Sequence, residues 1–245
     1  MALNFVKSKI LIFIGSTSIC VLLSIIWLAL KDFKADLTFM FVYMWGPGVA
    51  AALTSYFCRE PIRLNLGLKK PTKIDLIAMV VALAIVMYMQ RSNIWGSVFS
   101  LIFISSFVLG EELAWRGQLT IILRNLNIYV RASFIGVLWF FWHIPLIAWG
   151  QYFESSVGLF EIFNFFAILL FLSFFLDLVT KRTNTVWFAL VVHSVHNYYI
   201  QISGKDIELD VQTSIFYLLV LFIATFFLNS KYFFKRFKSL NSNVG

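Results

Sequence analysis

Residues 95–123 read WGSVFSLIFISSFVLGEELAWRGQLTIIL. From Gly96 to Gly110 every residue is apolar or small. Glu111, Glu112 and Arg116 then stand inside a run that ends on Ile121, Ile122 and Leu123. A helix needs about 20 apolar residues to cross a bilayer. This run is longer, so it is expected to tilt or to project beyond the membrane. An ionisable side chain inside a span costs about 2.5–3.5 kcal/mol on insertion scales and usually marks function. One stretch therefore sets two expectations: lipid is the solvent, and a polar site is buried in it.

The rest of the chain agrees. Hydrophobic residues make up 60% of the 245 positions and charged residues 13%, with mean hydropathy +0.85, against about 25% charged residues in soluble domains. Eight apolar segments are expected as spans, at about 10–30, 37–57, 74–90, 95–123, 131–149, 159–179, 184–202 and 212–230. The expected fold is an all-α polytopic helix bundle, a single transmembrane domain over 1–245. The first run follows Lys7 and Lys9, has no small-x-small cleavage site after it, and reads as a retained span.

The net charge of +8 does not indicate nucleic acid, because the basic residues sit in short connections between apolar runs. With a cytoplasmic N-terminus, Lys7, Lys9, the basic residues of 59–73, Arg124, Arg131, Lys181, Arg182 and the C-terminal cluster face inwards. Lys31, Lys34, Arg91 and Lys205 face outwards, beside the acidic Glu154, Asp206, Glu208 and Asp210. This asymmetry predicts cytoplasmic N- and C-termini. Cys20 and Cys58 have no metal-site spacing and read as packing residues.

All three histidines fall within spans: His143 after Trp139-Phe140-Phe141-Trp142, and His193 and His196 in His-Ser-Val-His-Asn. At 1.5 Å per residue, Glu111, His143, His193 and Asn197 all lie roughly 16–22 Å from the cytoplasmic ends of their helices. Scattered core residues have no reason to share a depth. Glu112 and Arg116 are i,i+4 and can pair on one face, as can His193 and Asn197. Glu111 points about 100° away from that pair and has no cation on its own helix, which makes it the better reactive carboxylate for general acid/base chemistry. Glu112 and Arg116 are expected to support the site. His196, Asn164 and Asp177 are expected to be structural. Trp45-Gly46-Pro47-Gly48 is expected to mark a kink or close helix approach.

The ordered set Glu-Glu-x-x-x-Arg, then a His on the next span, then His-x-x-x-Asn two spans later resembles the CAAX prenyl protease and bacteriocin-processing family of intramembrane endopeptidases. The resemblance covers about residues 95–200. It implies hydrolysis of a membrane-associated or lipidated peptide or protein by a water activated at Glu111 with His143, with His193 and Asn197 at the oxyanion. It also leaves a metal version open, in which Glu111, His143 and His193 would hold zinc or another divalent ion. No His-Glu-x-x-His is present to support that version from the sequence. The family's second motif usually carries Phe four residues before the His. Trp139 stands there and reads as a packing variation.

Two other readings compete: a non-catalytic peptide-binding or bacteriocin-immunity protein, and a proton-coupled transporter. The chain lacks the inverted repeat and paired broken helices of a transporter. It also lacks the Gly-x-Ser-x-Gly and Gly-x-Gly-Asp signatures of serine and aspartyl proteases. The short loops point to a prokaryotic plasma membrane.

Overall fold

The structure, a computed structural model, describes residues 2–30, 36–60, 66–89, 94–148 and 158–202; these form helices and turns, with no strand among them. Helix α1 spans Ala2–Leu30 and α2 Leu37–Phe57. Asp36 starts α2 by accepting the Phe39 N–H at 2.7 Å. Helix α3, Lys73–Met89, opens on a reciprocal capping box: the Thr72 N–H donates to Asp75 Oδ2 at 2.6 Å, and the Asp75 N–H to Thr72 Oγ1 at 3.2 Å. Helix α4, Ile94–Glu112, runs without a break into a π-helical turn, Leu113–Leu119, and a last α turn, Thr120–Ile122. Helices α5, Ile128–Ala148, α6, Leu159–Thr183, and α7, Trp187–Ile202, complete the described chain. Asn184 ends α6 with φ 57°, the left-handed stop that Asn tolerates better than most residues.

Among the described residues five helices are long and apolar enough to cross a membrane: Val6–Leu30, Leu37–Phe57, Val98–Ile122, Ile128–Ala148 and Leu159–Thr183. The expected spans at 74–90 and 184–202 are helices of 17 and 16 residues. The one expected at 212–230 lies outside the described residues, as do the C-terminus and the acidic loops. The outer surface is apolar, with Leu11, Val80, Phe99 and Leu159 widely exposed, whereas Glu111, Glu112, Arg116, Arg131 and Asp177 are buried. That inside-out distribution suits a lipid solvent and would be untenable in water.

Helix α4 with its π turn is the axis against which α2, α3, α5, α6 and α7 pack. Small residues set the distances. A Cβ on Gly48 would stand 2.9 Å from the Gly110 backbone, and one on Gly110 would stand 2.8 Å from the Met44 carbonyl. The α2 and α4 backbones thus touch one residue before Glu111, the close approach expected of Trp45–Gly48. A Cβ on Gly117 would stand 2.6 Å from the Leu66 carbonyl. The segment after residue 66 therefore lies on the π turn, and it is tied to the start of α7 by Val186 N–H donating to the Gly67 carbonyl at 3.2 Å and Trp187 Nε1–H to that of Lys69 at 2.8 Å.

Arg131, counted with the cytoplasmic loop cations, lies in the first turn of α5 and is buried. Its guanidinium grips Asp177 of α6 through Nη2 at 2.7 Å and Nε at 3.1 Å, while Thr120 Oγ1 donates to the same carboxylate at 2.9 Å. A buried arginine is stable only with such a partner. Asp177 supplies it, and the three residues clamp the end of the π turn to α5 and α6.

Candidate active site

Helix α4 delivers Glu111 and Glu112 as its last two residues, and the π turn that follows holds Trp115 and Arg116. All seven residues of that turn are buried. Such turns are uncommon and collect at functional sites, because the extra residue re-aims the side chains around it. Helix α5 delivers Trp139 and His143 one turn apart, and α7 delivers His193.

Glu112 Oε1 is shared. Arg116 Nη1 donates to it at 3.3 Å, as the i,i+4 spacing leads one to expect, and His193 Nδ1 donates at 2.8 Å from another helix. Because a carboxylate only accepts, the second bond places the neutral tautomer's proton on Nδ1 and leaves Nε2 as the nitrogen turned elsewhere. His143 is fixed in the same way: its Nδ1 meets the Trp139 carbonyl at 2.8 Å, so Nδ1 donates and Nε2 is the basic nitrogen.

Among the described residues Glu111 forms no salt bridge. Its Oε2 accepts the indole N–H of Trp139 and, at 3.4 Å, that of Trp115. Its Oε1 is buried without a partner among the described residues, as are Glu112 Oε2 and Arg116 Nε and Nη2. Four unsatisfied polar atoms on three adjacent side chains form a concentration that a merely structural core avoids.

Trp139 is the centre of the cluster. The Arg116 guanidinium lies 4.2 Å above its ring, and the His193 imidazole meets it edge-on at 4.9 Å. His143 is 6.1 Å from it and lies in the field of both Glu111 and His193. Glu111, Glu112, Arg116, His143 and His193 are therefore brought together. Asn197, one turn beyond His193, is half-buried and takes no part in these hydrogen bonds. His196 is half-buried close to His193.

The reading of Trp139 as a packing variation is incomplete, since its N–H holds the carboxylate that the sequence singles out. The signal was available in principle: a buried Trp N–H needs an acceptor. Tyr43 of α2 was also missed. It stacks on Trp142 at 4.3 Å and donates its hydroxyl to the Trp142 carbonyl at 2.6 Å, bracing α5 beside Pro145.

Three histidine, cysteine or acidic side chains arranged to hold a metal ion are not found among the described residues. Glu111 and His193 both meet the Trp139 indole, and His143 and His193 each engage Nδ1, the kind of bond that metal-ligating histidines also make through their other ring nitrogen.

The described helices, five of them long and apolar enough to cross a membrane, enclose a buried Glu-Glu-x-x-x-Arg, His and His set. Residues 91–199 match the family described as type II CAAX prenyl endopeptidase Rce1-like. No curated protein and no solved structure matches the chain.

Proposed function

We propose that the chain is a glutamic-type intramembrane endopeptidase that hydrolyses a peptide bond of a membrane-associated or lipidated peptide. The observation that carries this reading is the buried Oε1 of Glu111, unpartnered among the described residues, aligned by indole N–H groups on its other oxygen and surrounded by His143, Arg116 and the Glu112–His193 pair.

Glu111 Oε1 takes a proton from water as that water's oxygen bonds to the scissile carbonyl carbon. His143, held by the Trp139 carbonyl, accepts a hydrogen bond from the same water through Nε2 and orients it. The carbonyl oxygen becomes an oxyanion. His193 meets it through Nε2–H as an imidazolium, whose charge Glu112 balances, and the Asn197 amide is the second donor. Glu111 then passes its proton to the leaving nitrogen, the C–N bond breaks, and a carboxylic acid and an amine leave, the acid's proton passing to the amine to give a carboxylate and an ammonium. No step is routed through a metal. Arg116 offsets the two carboxylates and keeps the site from expelling either charge.

The same reading places this site within a single domain of eight spans, with the catalytic core at about 95–200, both termini cytoplasmic and a prokaryotic plasma membrane as its setting. The basic connections on the cytoplasmic side favour entry from there. The test uses the full chain reconstituted in liposomes and a quenched fluorogenic peptide bearing a farnesylated Cys followed by two aliphatic residues and a free carboxylate. The wild type is expected to cleave it, and Glu111→Gln to be slower by roughly 10²–10⁴-fold while still capturing the peptide. Equal cleavage by both sinks the glutamic mechanism. Capture without cleavage by the wild type replaces it with a peptide-binding or immunity role.

A further inference from the structure

Trp139 is fully buried and meets Glu111, Arg116, His193 and His143 each by a different part of its side chain or backbone. Its indole N–H donates to Glu111 Oε2, its face carries the Arg116 guanidinium at 4.2 Å, its edge meets His193 at 4.9 Å, and its carbonyl receives the His143 Nδ1–H at 2.8 Å. A residue that merely filled this space would need the ring and not the N–H. A carboxylate free to rotate about its last bond presents either oxygen to the water. One whose Oε2 is held by an N–H presents Oε1 alone, and Oε1 is the atom without a partner among the described residues.

We propose that Trp139 is a positioning residue that selects Oε1 of Glu111 as the base for water, its indole N–H doing so independently of the packing that its ring provides. This rests on the hydrolytic reading above. It separates two functions of one side chain, because phenylalanine keeps the face under Arg116 and the edge against His193 but cannot donate to Glu111. Trp115, whose N–H lies at 3.4 Å from the same oxygen, holds it too weakly to take over.

The test compares wild type, Trp139→Phe and Trp115→Phe as full chains in liposomes, with the farnesylated fluorogenic peptide as probe. Trp139→Phe is expected to lower kcat by about 10–100-fold, the range for lost orientation of a reacting group, with KM and membrane abundance unchanged. Trp115→Phe is expected to lose less. In detergent micelles the ¹H–¹⁵N signal of the Trp139 indole, assigned by its disappearance in Trp139→Phe, should lie downfield and move upfield in Glu111→Ala.

A kcat for Trp139→Phe equal to wild type, a loss carried in KM, or an indole signal indifferent to Glu111 overturns the proposal while leaving the hydrolase reading intact. A wild-type chain that does not cleave the probe overturns both.

Discussion

Deleting the acid of the Arg131–Asp177 pair gives the sharpest energetic test of the fold. The closest nitrogen–oxygen distance is 2.7 Å, and the two side chains are 3% and 0% exposed. At an effective dielectric constant of about 20 the direct attraction is about 6 kcal/mol, but burial of both ions cancels much of it. Asp177→Ala leaves Arg131 buried and unpaired, which costs about 3–5 kcal/mol. Asp177→Asn keeps an acceptor for Arg131 and for Thr120, so its loss should be smaller, about 1–3 kcal/mol. The double variant Arg131→Met/Asp177→Leu removes both charges with similar volume and should lie near wild type or above it. Thr120 can then direct its hydroxyl to the Trp115 carbonyl, already at 3.1 Å. The assay is unfolding of purified protein in mixed micelles by rising mole fraction of dodecyl sulfate, followed by far-ultraviolet circular dichroism. If the double variant is as unstable as Asp177→Ala, the pair is not held by charge compensation and the reasoning fails.

Three further outcomes are expected. Arg116→Ala should reduce folded protein in membranes more than Glu111→Ala, because it strands Glu112 at a cost of about 3–5 kcal/mol whereas Glu111 leaves no cation behind; equal abundance and thermal midpoints would count against that division. Gly117→Ala gains about 1 kcal/mol of helix propensity, yet its Cβ would sit 2.6 Å from the Leu66 carbonyl, so a net loss of about 1–3 kcal/mol is expected, and a stabilised variant in the same micelle assay would show that the contact yields. Peptide cleavage should survive a strong zinc chelator such as 1,10-phenanthroline; loss that zinc restores would move the mechanism to a metal.

How much of this was legible depends on distance along the chain. The apolar runs announce the helices, because membrane burial demands nothing subtler than length and apolarity. The Glu112–Arg116 pair is legible because it is i,i+4 on one helix. The partners that complete the site are 81 positions apart for Glu112 and His193, and 28 for Glu111 and Trp139. Periodicity carries no information about such pairings. The Arg131–Asp177 pair was hidden for a related reason: a basic residue at the edge of an apolar run reads as a loop anchor until its acid is found on another helix. The π turn had little sequence signal, since apart from Gly117 its residues suit a regular α-helix, and tertiary contacts at both ends impose it.

That turn sets the phase between two ends of one rod. The end at Glu111 and Glu112 must face α5 and α7, and the end at Thr120 must face Asp177 of α6. In an unbroken α-helix each residue turns the rod by about 100°, so deleting one residue from 113–119 would let the backbone relax into a regular helix while swinging one end off its target. The chain thus holds a less comfortable backbone where a better one is a single deletion away. A library of one-residue deletions across this turn should return chains that still insert as helices and have lost the alignment between clamp and carboxylates.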